Sequence, residues 1–279
     1  MEHLHQPVNV TLDLSSEKVL SPLLFGDNLE HTRDCVNSGL SAQMLENRKF
    51  VGRPDRYGCA MGWYRIGQKT AFTLSYDRPY TRHHESYRMS RLLERQSQVI
   101  TAHRPEIAGF GQDGLCIRKG SAYLFKMTAY ALSPLTVDIR IKSSRGDILE
   151  HQSMTVKTGS FSACDLLLSS SQDDSNARLE ITFMGPGSLI VGAVSMMPQD
   201  NFLGMRPDVI GRMKELGIRL LRWPGGNFSG EYHWKDGLLD REERSPFQSY
   251  LWIETQPHTL GFDFHEINTD ESDLAKLGI

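Results

Sequence analysis

The chain reads as an α/β protein interrupted by an all-β module. Three observations point to it: strand-like and helix-like patterns follow one another near the N-terminus, residues from about Gly52 to Pro198 break into short β-rich segments, and an amphipathic helix then runs into an apolar strand. Alternating strands and helices bury a parallel sheet, whereas runs of short strands separated by turn residues make a sandwich.

In chain order, "VNVTLDL" over residues 8–14 alternates apolar and polar residues as a half-buried strand does. "SPLLFGDNLEH" then predicts a short, continuously apolar strand that breaks at Gly26. Behind Ser38 and Gly39, "SGLSAQMLENRKF" sets Leu40, Met44 and Leu45 at helical spacing and predicts a short helix. The segments "SAYLFKMTAYAL", "LTVDIRIKSS", "ARLEITFMG" and "SLIVGAVSMM" are β-rich, separated by Ser, Gly, Pro and Asp, and predict the strands of a sandwich. After Pro198, "RPDVIGRMKELG" is an amphipathic helix with Pro207 in its first turn and Gly217 at its end, and "IRLLRWP" is a buried strand. The domain organisation that follows is residues 1–52, an inserted sandwich over 53–198, and a resumed α/β portion over 199–279.

Composition limits the function. Of 279 residues, 39% are hydrophobic and 23% charged, an ordinary globular balance long enough for one large domain or two average ones. The formal charge of -3 offers no general attraction for nucleic acid or for an anionic membrane, so neither is an expected partner. No apolar stretch approaches membrane-spanning length and "MEHLHQPVNVTLDLSSEKVL" lacks a signal pattern, from which a cytoplasmic protein is expected. Cys35, Cys59, Cys116 and Cys164 are spread without a CxxC pair, which argues against a zinc site and against a disulfide framework and predicts buried free thiols.

Several motifs fail on context. Gly109-Phe110-Gly111-Gln112-Asp113-Gly114 fits GxGxxG, yet it follows "AHRPEIA" and leads into "LCIRKGSAYLF", so the strand and helix that phosphate binding needs are missing; a glycine-rich turn is the expectation. His83 and His84 are adjacent, point to opposite faces of a strand, and have no third ligand at useful spacing. His265-Glu266 lacks the second His of HExxH. No metal and no cofactor are expected.

The informative stretch is "LLRWPGGNFSGEYHWKDG", residues 220–237. It leaves the C-terminal end of a predicted buried parallel strand, the end at which α/β barrels gather active-site loops. Gly225 and Gly226 permit a sharp turn and close approach to a ligand, Asn227 brings a donor and an acceptor, and Trp223, Tyr232 and Trp234 bring flat apolar faces with polar edges. Sugars present apolar C–H faces and paired hydroxyls, so a sugar site is one reading. Aromatics that plug the mouth of a barrel are the other.

"SPLLFGDNLEH", "GLSAQMLENRKF", "MRPDVIGRMKELGIRLLRWPGGNFSGEYHWKDG" and "LWIETQPHTLGFDFHEI" together resemble the N-terminal part of the α-L-arabinofuranosidases of glycoside hydrolase family 51. "DSNARLEITFMGPGSLIVGAVSMMPQDNF" is similar to the end of the carbohydrate-binding-module-like sandwich that some members insert between the first and second barrel strands. The resemblance implies the start of a (β/α)8 TIM barrel, its first two units only, interrupted by a jelly-roll-like sandwich. It implies an arabinose-containing glycan as partner, homo-oligomerisation of the complete enzyme, and sugar-binding roles for Glu30, Asn227 and Trp252. From the residues alone, the alternatives are a solvated strand-end carboxylate for Glu30, a turn residue for Asn227 and a core position for Trp252.

The sequence also departs from the family. A retaining mechanism needs two glutamates whose carboxyl groups stand ~5 Å apart. The family's acid/base glutamate follows an Asn, and this chain has no Asn-Glu dipeptide. Glu231, Glu254 and Glu266 carry no spacing that marks an acid/base pair. The expectation is therefore a chain without catalytic residues of its own, both glutamates lying beyond Ile279, as in a fragment, a truncated gene product or one half of an assembly. A non-catalytic carbohydrate-binding protein is the alternative.

Overall fold

The structure is a computed structural model that describes residues 10–11, 19–29, 35–50, 53–78, 90–92, 95–222, 241–243 and 247–249. In chain order the elements are β1 (Asp27–Asn28), β2 (Tyr64–Ile66), β3 (Ala71–Arg78), β4 (Ser90–Leu92), β5 (Arg95–Ala102), β6 (Ile107–Ile117) and β7 (Ala122–Ala131). There follow β8 (Leu135–Lys142), β9 (Ile148–Val156), β10 (Ser162–Ser169), β11 (Asp174–Met184), β12 (Gly187–Pro198), α1 (Pro207–Glu215), β13 (Leu221–Arg222) and β14 (Phe247–Ser249). The described residues are mostly β.

Period-two patterning builds the two main sheets. In β8, Leu135, Val137, Ile139 and Ile141 are buried while Thr136, Asp138, Arg140 and Lys142 are not, so one face of the strand enters a core and the other meets solvent. The five-stranded sheet β2-β6-β11-β8-β9 faces a second five-stranded sheet, β10-β7-β12-β5-β3, and all pairings within them are antiparallel. Between them lies a continuous core that includes Phe110, Phe125, Met127, Ile139, Ile181, Phe183 and Val191. Leu45 and Phe50 belong to it too, and Phe50 and Trp63 both pack against Phe110, with ring centroids 5.8 and 4.9 Å away. Each fully buried side chain of this size contributes about 1.5–3 kcal/mol of transfer free energy.

A smaller cluster forms where the chain enters and leaves the sandwich. β1 and β13 pair in parallel, and Leu29, Val36, Leu40, Met205, Ile210 and Met213 are buried behind them. Helix α1 begins at Pro207 and ends before Gly217, whose φ is +70°, as its sequence predicts. A third pairing, β14 with β4, is antiparallel.

Four local expectations are corrected. "SPLLFGDN" does not form a strand that stops at Gly26: Pro22–Leu24 is a 3-10 turn in which Ser21 Oγ accepts from the Leu23 N–H, and the strand begins only after Gly26. A Cβ at Gly26 would stand 2.9 Å from the Leu220 carbonyl oxygen, so the bare glycine lets β1 lie against the other strand. The predicted helix over 38–50 is instead a π-helical turn, Cys35–Leu40, followed by irregular chain. Side chains claim the backbone there: Gln43 Oε1 accepts from Leu45 N–H at 3.2 Å and from Met196 N–H at 3.0 Å, and Gln112 Oε1 accepts from Glu46 N–H at 2.8 Å.

The glycines of 109–114 are not a turn but lie inside β6, which disposes of a phosphate loop more firmly than the flanking sequence did. Of the three cysteines whose side chains are described, Cys59 is buried, Cys164 is half-buried and Cys116, on the solvent face of β6, is exposed. Within residues 8–14 only Val10 and Thr11 are described, and they lie outside any strand. His83, His84, His265 and Glu266 lie outside the described residues. Among the described residues no helix is long and apolar enough to cross a membrane, and no cluster of side chains could hold a metal ion.

Candidate functional site

Glu30, Asn227 and Trp252 lie outside the described residues, so their convergence is not seen directly. The structure does fix the backbone that leads to two of them. In the parallel pair, Asp27 lies opposite Leu221 and Asn28 opposite Arg222. Asp27 N–H donates to the Leu220 carbonyl at 2.9 Å and Leu29 N–H donates to the Arg222 carbonyl at 3.0 Å. Parallel strands in register leave from the same end, so the chain passes to Glu30 and to Trp223 from adjacent points. Ligands of open and closed parallel sheets bind at this carboxyl end.

The apolar cluster behind the pair makes that end a fixed platform. Leu29 and Leu221 pack with Ile210 and Met213 of α1, and with Leu40 and Val36 of the π-helical turn. At the start of α1, Arg206 grips Asp208 through two hydrogen bonds of 3.1 and 2.6 Å, and that bond holds the Asp208 carboxyl below the usual carboxylate range.

Beyond residues 223–240 the chain is seized again. Arg241–Glu243 forms a 3-10 turn pinned to both parts of the molecule. Arg48 Nη1 meets Glu242 Oε2 at 2.7 Å with side chains only 2% and 13% exposed, and Lys49 Nζ donates to the Arg241 carbonyl at 2.8 Å. The Arg241 guanidinium in turn donates to the Leu203 carbonyl at 3.1 Å and lies 3.3 Å from Met197 Sδ, at the end of β12. A buried pair of this kind is costly to break one partner at a time. Both ends of the glycine-rich stretch are therefore tied down, one in the strand pair and the other against the sandwich. Nothing local in "NRKF" announces this clamp, because its partners are 194 residues apart in the chain.

Nucleophile chemistry on Cys59 is disfavoured. Burial first, and then the neighbouring Asp55 carboxylate, push its thiol up to about 12, which keeps it protonated and inert.

No protein-family model matches the chain. Among curated sequences it is 25% identical over 281 aligned residues to α-L-arabinofuranosidase 2 of Arabidopsis thaliana, covering 94% of this chain and 41% of that protein. α-L-Arabinofuranosidase 1 of the same plant is also 25% identical, over 88% of this chain and 38% of its own length. An intracellular exo-α-L-arabinofuranosidase of Bacteroides ovatus is 44% identical over 66 residues, 24% of this chain and 12% of that one. The chain thus spans about two-fifths of the length of the plant relatives it matches. Among solved structures, an arabinose-bound GH51 α-L-arabinofuranosidase superposes with a TM-score of 0.68 at 16% identity, over 92% of this chain and 47% of that one. Its sequence relatives are α-L-arabinofuranosidases and its fold is shared with one of glycoside hydrolase family 51, so the chain is a homologue of these glycosidases.

Proposed function

We propose that residues 1–279 are part of a retaining α-L-arabinofuranosidase that removes terminal non-reducing arabinofuranosyl residues from arabinose-containing polysaccharides and oligosaccharides. The single observation that supports it most is the parallel pairing of Asp27–Asn28 with Leu221–Arg222, which sends the Glu30 segment and the "PGGNF" segment out of one end of one sheet. On this reading the pair is the beginning of a TIM barrel, residues 53–198 are a carbohydrate-binding-module-like insertion, and 199–279 resume the barrel.

Glu30 then accepts from sugar hydroxyls, Asn227 lines the pocket, and Trp252 offers its ring to the apolar face of the furanose. The acid that protonates the leaving oxygen and the carboxylate that attacks the anomeric carbon come from residues outside these 279. Turnover of an aryl α-L-arabinofuranoside tests this. The 279-residue chain should give none above background, and a protein extended to the length of its relatives should give full turnover that collapses on Glu30→Ala. Sugar binding without turnover in both forms would replace the hydrolase with a carbohydrate-binding protein. Turnover by the 279 residues alone would overturn the assignment of the catalytic groups.

A further inference from the structure

The outward face of the sheet β2-β6-β11-β8-β9 carries a concavity of about 360 Å³ lined by Ile66, Ile107, Arg140, Lys142, Ile148, Glu180 and Thr182. Its volume lies near the lower end of the roughly 300–1,000 Å³ typical of small-molecule sites. It belongs to the sandwich, and its lining shares no residue with the strand pair.

Register explains the hollow. Two rows cross this face: Tyr64, Gly111, Glu180, Arg140 and His151 form one, and Ile66, Gly109, Thr182, Asp138 and Ser153 form the other. β6 contributes only glycine to both rows, so this strand, one in from the edge, has no side chain standing on the face there. Tyr64 folds across the first gap, close enough that a Cβ on Gly111 would stand 2.5 Å from its ring. In the second row a Cβ on Gly109 would stand 2.0 Å from the Ile181 carbonyl oxygen, so the bare glycine lets β6 lie close against β11, and the hollow lies beside Ile66 and Thr182.

The polar groups around the hollow are prearranged. Arg140 donates to Thr182 Oγ1 and to Asp138 Oδ2, each at 2.7 Å, and Asp138 Oδ1 also accepts from Ser153 Oγ at 2.6 Å. Lys142 Nζ stands 2.8 Å from Glu180 Oε2. Arg140 and Lys142 have N–H groups beyond those used, and Glu180 has a second carboxylate oxygen. The Tyr64 hydroxyl is buried beside Glu180. Ile107 and Ile148 flank these groups at 52% and 57% exposure.

Charge chooses among ligands. Arg140 and Lys142 are matched by Asp138 and Glu180, so an ionic ligand would bring a charge with no free counter-charge to meet it. A neutral ligand that offers neighbouring hydroxyls can both accept from Arg140 or Lys142 and donate to Glu180, while its C–H faces rest on Ile66, Ile107 and Ile148. We propose that this hollow is a second saccharide-binding site, selective for neutral sugars and independent of the strand-pair pocket.

The test is titration of the 279-residue protein with linear arabinotriose, with xylotriose, and with a galacturonic acid trimer as the anionic control, followed by amide NMR and calorimetry. A neutral trimer at millimolar concentration should shift amides of β6, β8 and β11 around Gly109, Arg140 and Thr182. Arg140→Met should weaken it about tenfold, the scale for losing a charged donor to a ligand hydroxyl. Ile148→Asp, at an exposed position that folding tolerates, should weaken it similarly, and Asn227→Ala should leave these shifts unchanged. No shift on this face, affinity that survives both sheet variants, or tighter binding of the anionic trimer would overturn the proposal. Arabinofuranoside turnover does not enter this readout, so the hydrolase assignment and the sheet site can fail separately.

Discussion

The sandwich and the strand pair handle apolar surface in opposite ways. Between the two sheets, Phe110, Ile139, Ile181, Val191 and their neighbours are fully buried against each other. Around β1 and β13 the buried cluster is small, and Val19, Leu20, Leu23, Leu24, Phe25, Leu216 and Leu220 stand 47–102% exposed. An antiparallel sandwich closes its own core, since each strand finds its partners within the same stretch of chain. A parallel pair has two faces to cover, and among the described residues β1 and β13 pair only with each other. Isolated exposed apolar residues are common, but a run of them on one short segment sets this region apart from the sandwich.

That contrast can be broken by truncating one side chain in each region. Phe110→Ala removes a ring packed on Phe50 and Trp63 in the middle of the core and should cost about 3–5 kcal/mol. Leu24→Ala, 61% exposed, should stay within about 0.5 kcal/mol in the same protein. Urea denaturation monitored by tryptophan fluorescence measures both. Equal losses would mean that the apolar run before β1 is already packed, and that the two regions do not differ as described.

The same contrast decides what could be read from sequence. The patterns around β7, β8, β11 and β12 gave their strands to within about three residues, because a half-buried strand writes its face into alternate positions and the turn residues between them mark the ends. Helix α1 was legible for a similar reason, with Pro207 and Gly217 at its limits. "GLSAQMLENRKF" has helical spacing too, yet Gln43 and Gln112 take its backbone hydrogen bonds, and that competition depends on strands that come 66 and 153 residues later. β1 and β13 are so short that only their pairing defines them. The parallel strand before "PGGNF" could be anticipated from its apolar run, though only Leu221–Arg222 forms it and it is not the buried strand that "IRLLRWP" predicts, since Leu220 and Arg222 are exposed. The Arg48–Glu242 clamp and the hollow on the sheet could not be anticipated, since both are made by register and long-range contact.

The clamp joins the two regions, and a variant of it sharpens their comparison. Glu242→Ala removes the carboxylate that stands 2.7 Å from the Arg48 guanidinium, a side chain only 2% exposed. Up to about 3 kcal/mol is expected for removing a carboxylate from beside a buried guanidinium, less where water or another partner meets the charge. Arg48→Met combined with Glu242→Leu should recover most of the loss, because the buried charge is then gone. Hydrogen exchange distinguishes where the loss falls: amides of α1 and of the turn Arg241–Glu243 should open in the single variant while β8 and β11 remain protected. Loss of protection in β8 and β11 to the same degree would show one cooperative unit.

The smallest expected effect is electrostatic, and it too separates the regions. Burial works against ionisation of Asp138, but hydrogen bonds from Ser153 and His151 and the Arg140 guanidinium outweigh it and hold the carboxyl below the usual carboxylate range. A folded-state pKa below the unfolded one adds stability that is present above the unfolded value, about 3.9, and is lost as pH falls through the folded value. With its side chain 30% exposed, water screens the interaction, and a contribution under about 1 kcal/mol is expected. Asp208 is held down as well, by Arg206, but at 66% exposure on the surface of the strand-pair region. Urea midpoints taken between about pH 5 and pH 2 should therefore fall less steeply in Asp138→Asn than in the parent, while Asp208→Asn tracks the parent closely. An acid limb flattened by Asp208→Asn and untouched by Asp138→Asn would place the acid-sensitive contacts at the strand pair and leave the outward face of the sandwich without the ordered polar row on which its sugar site depends.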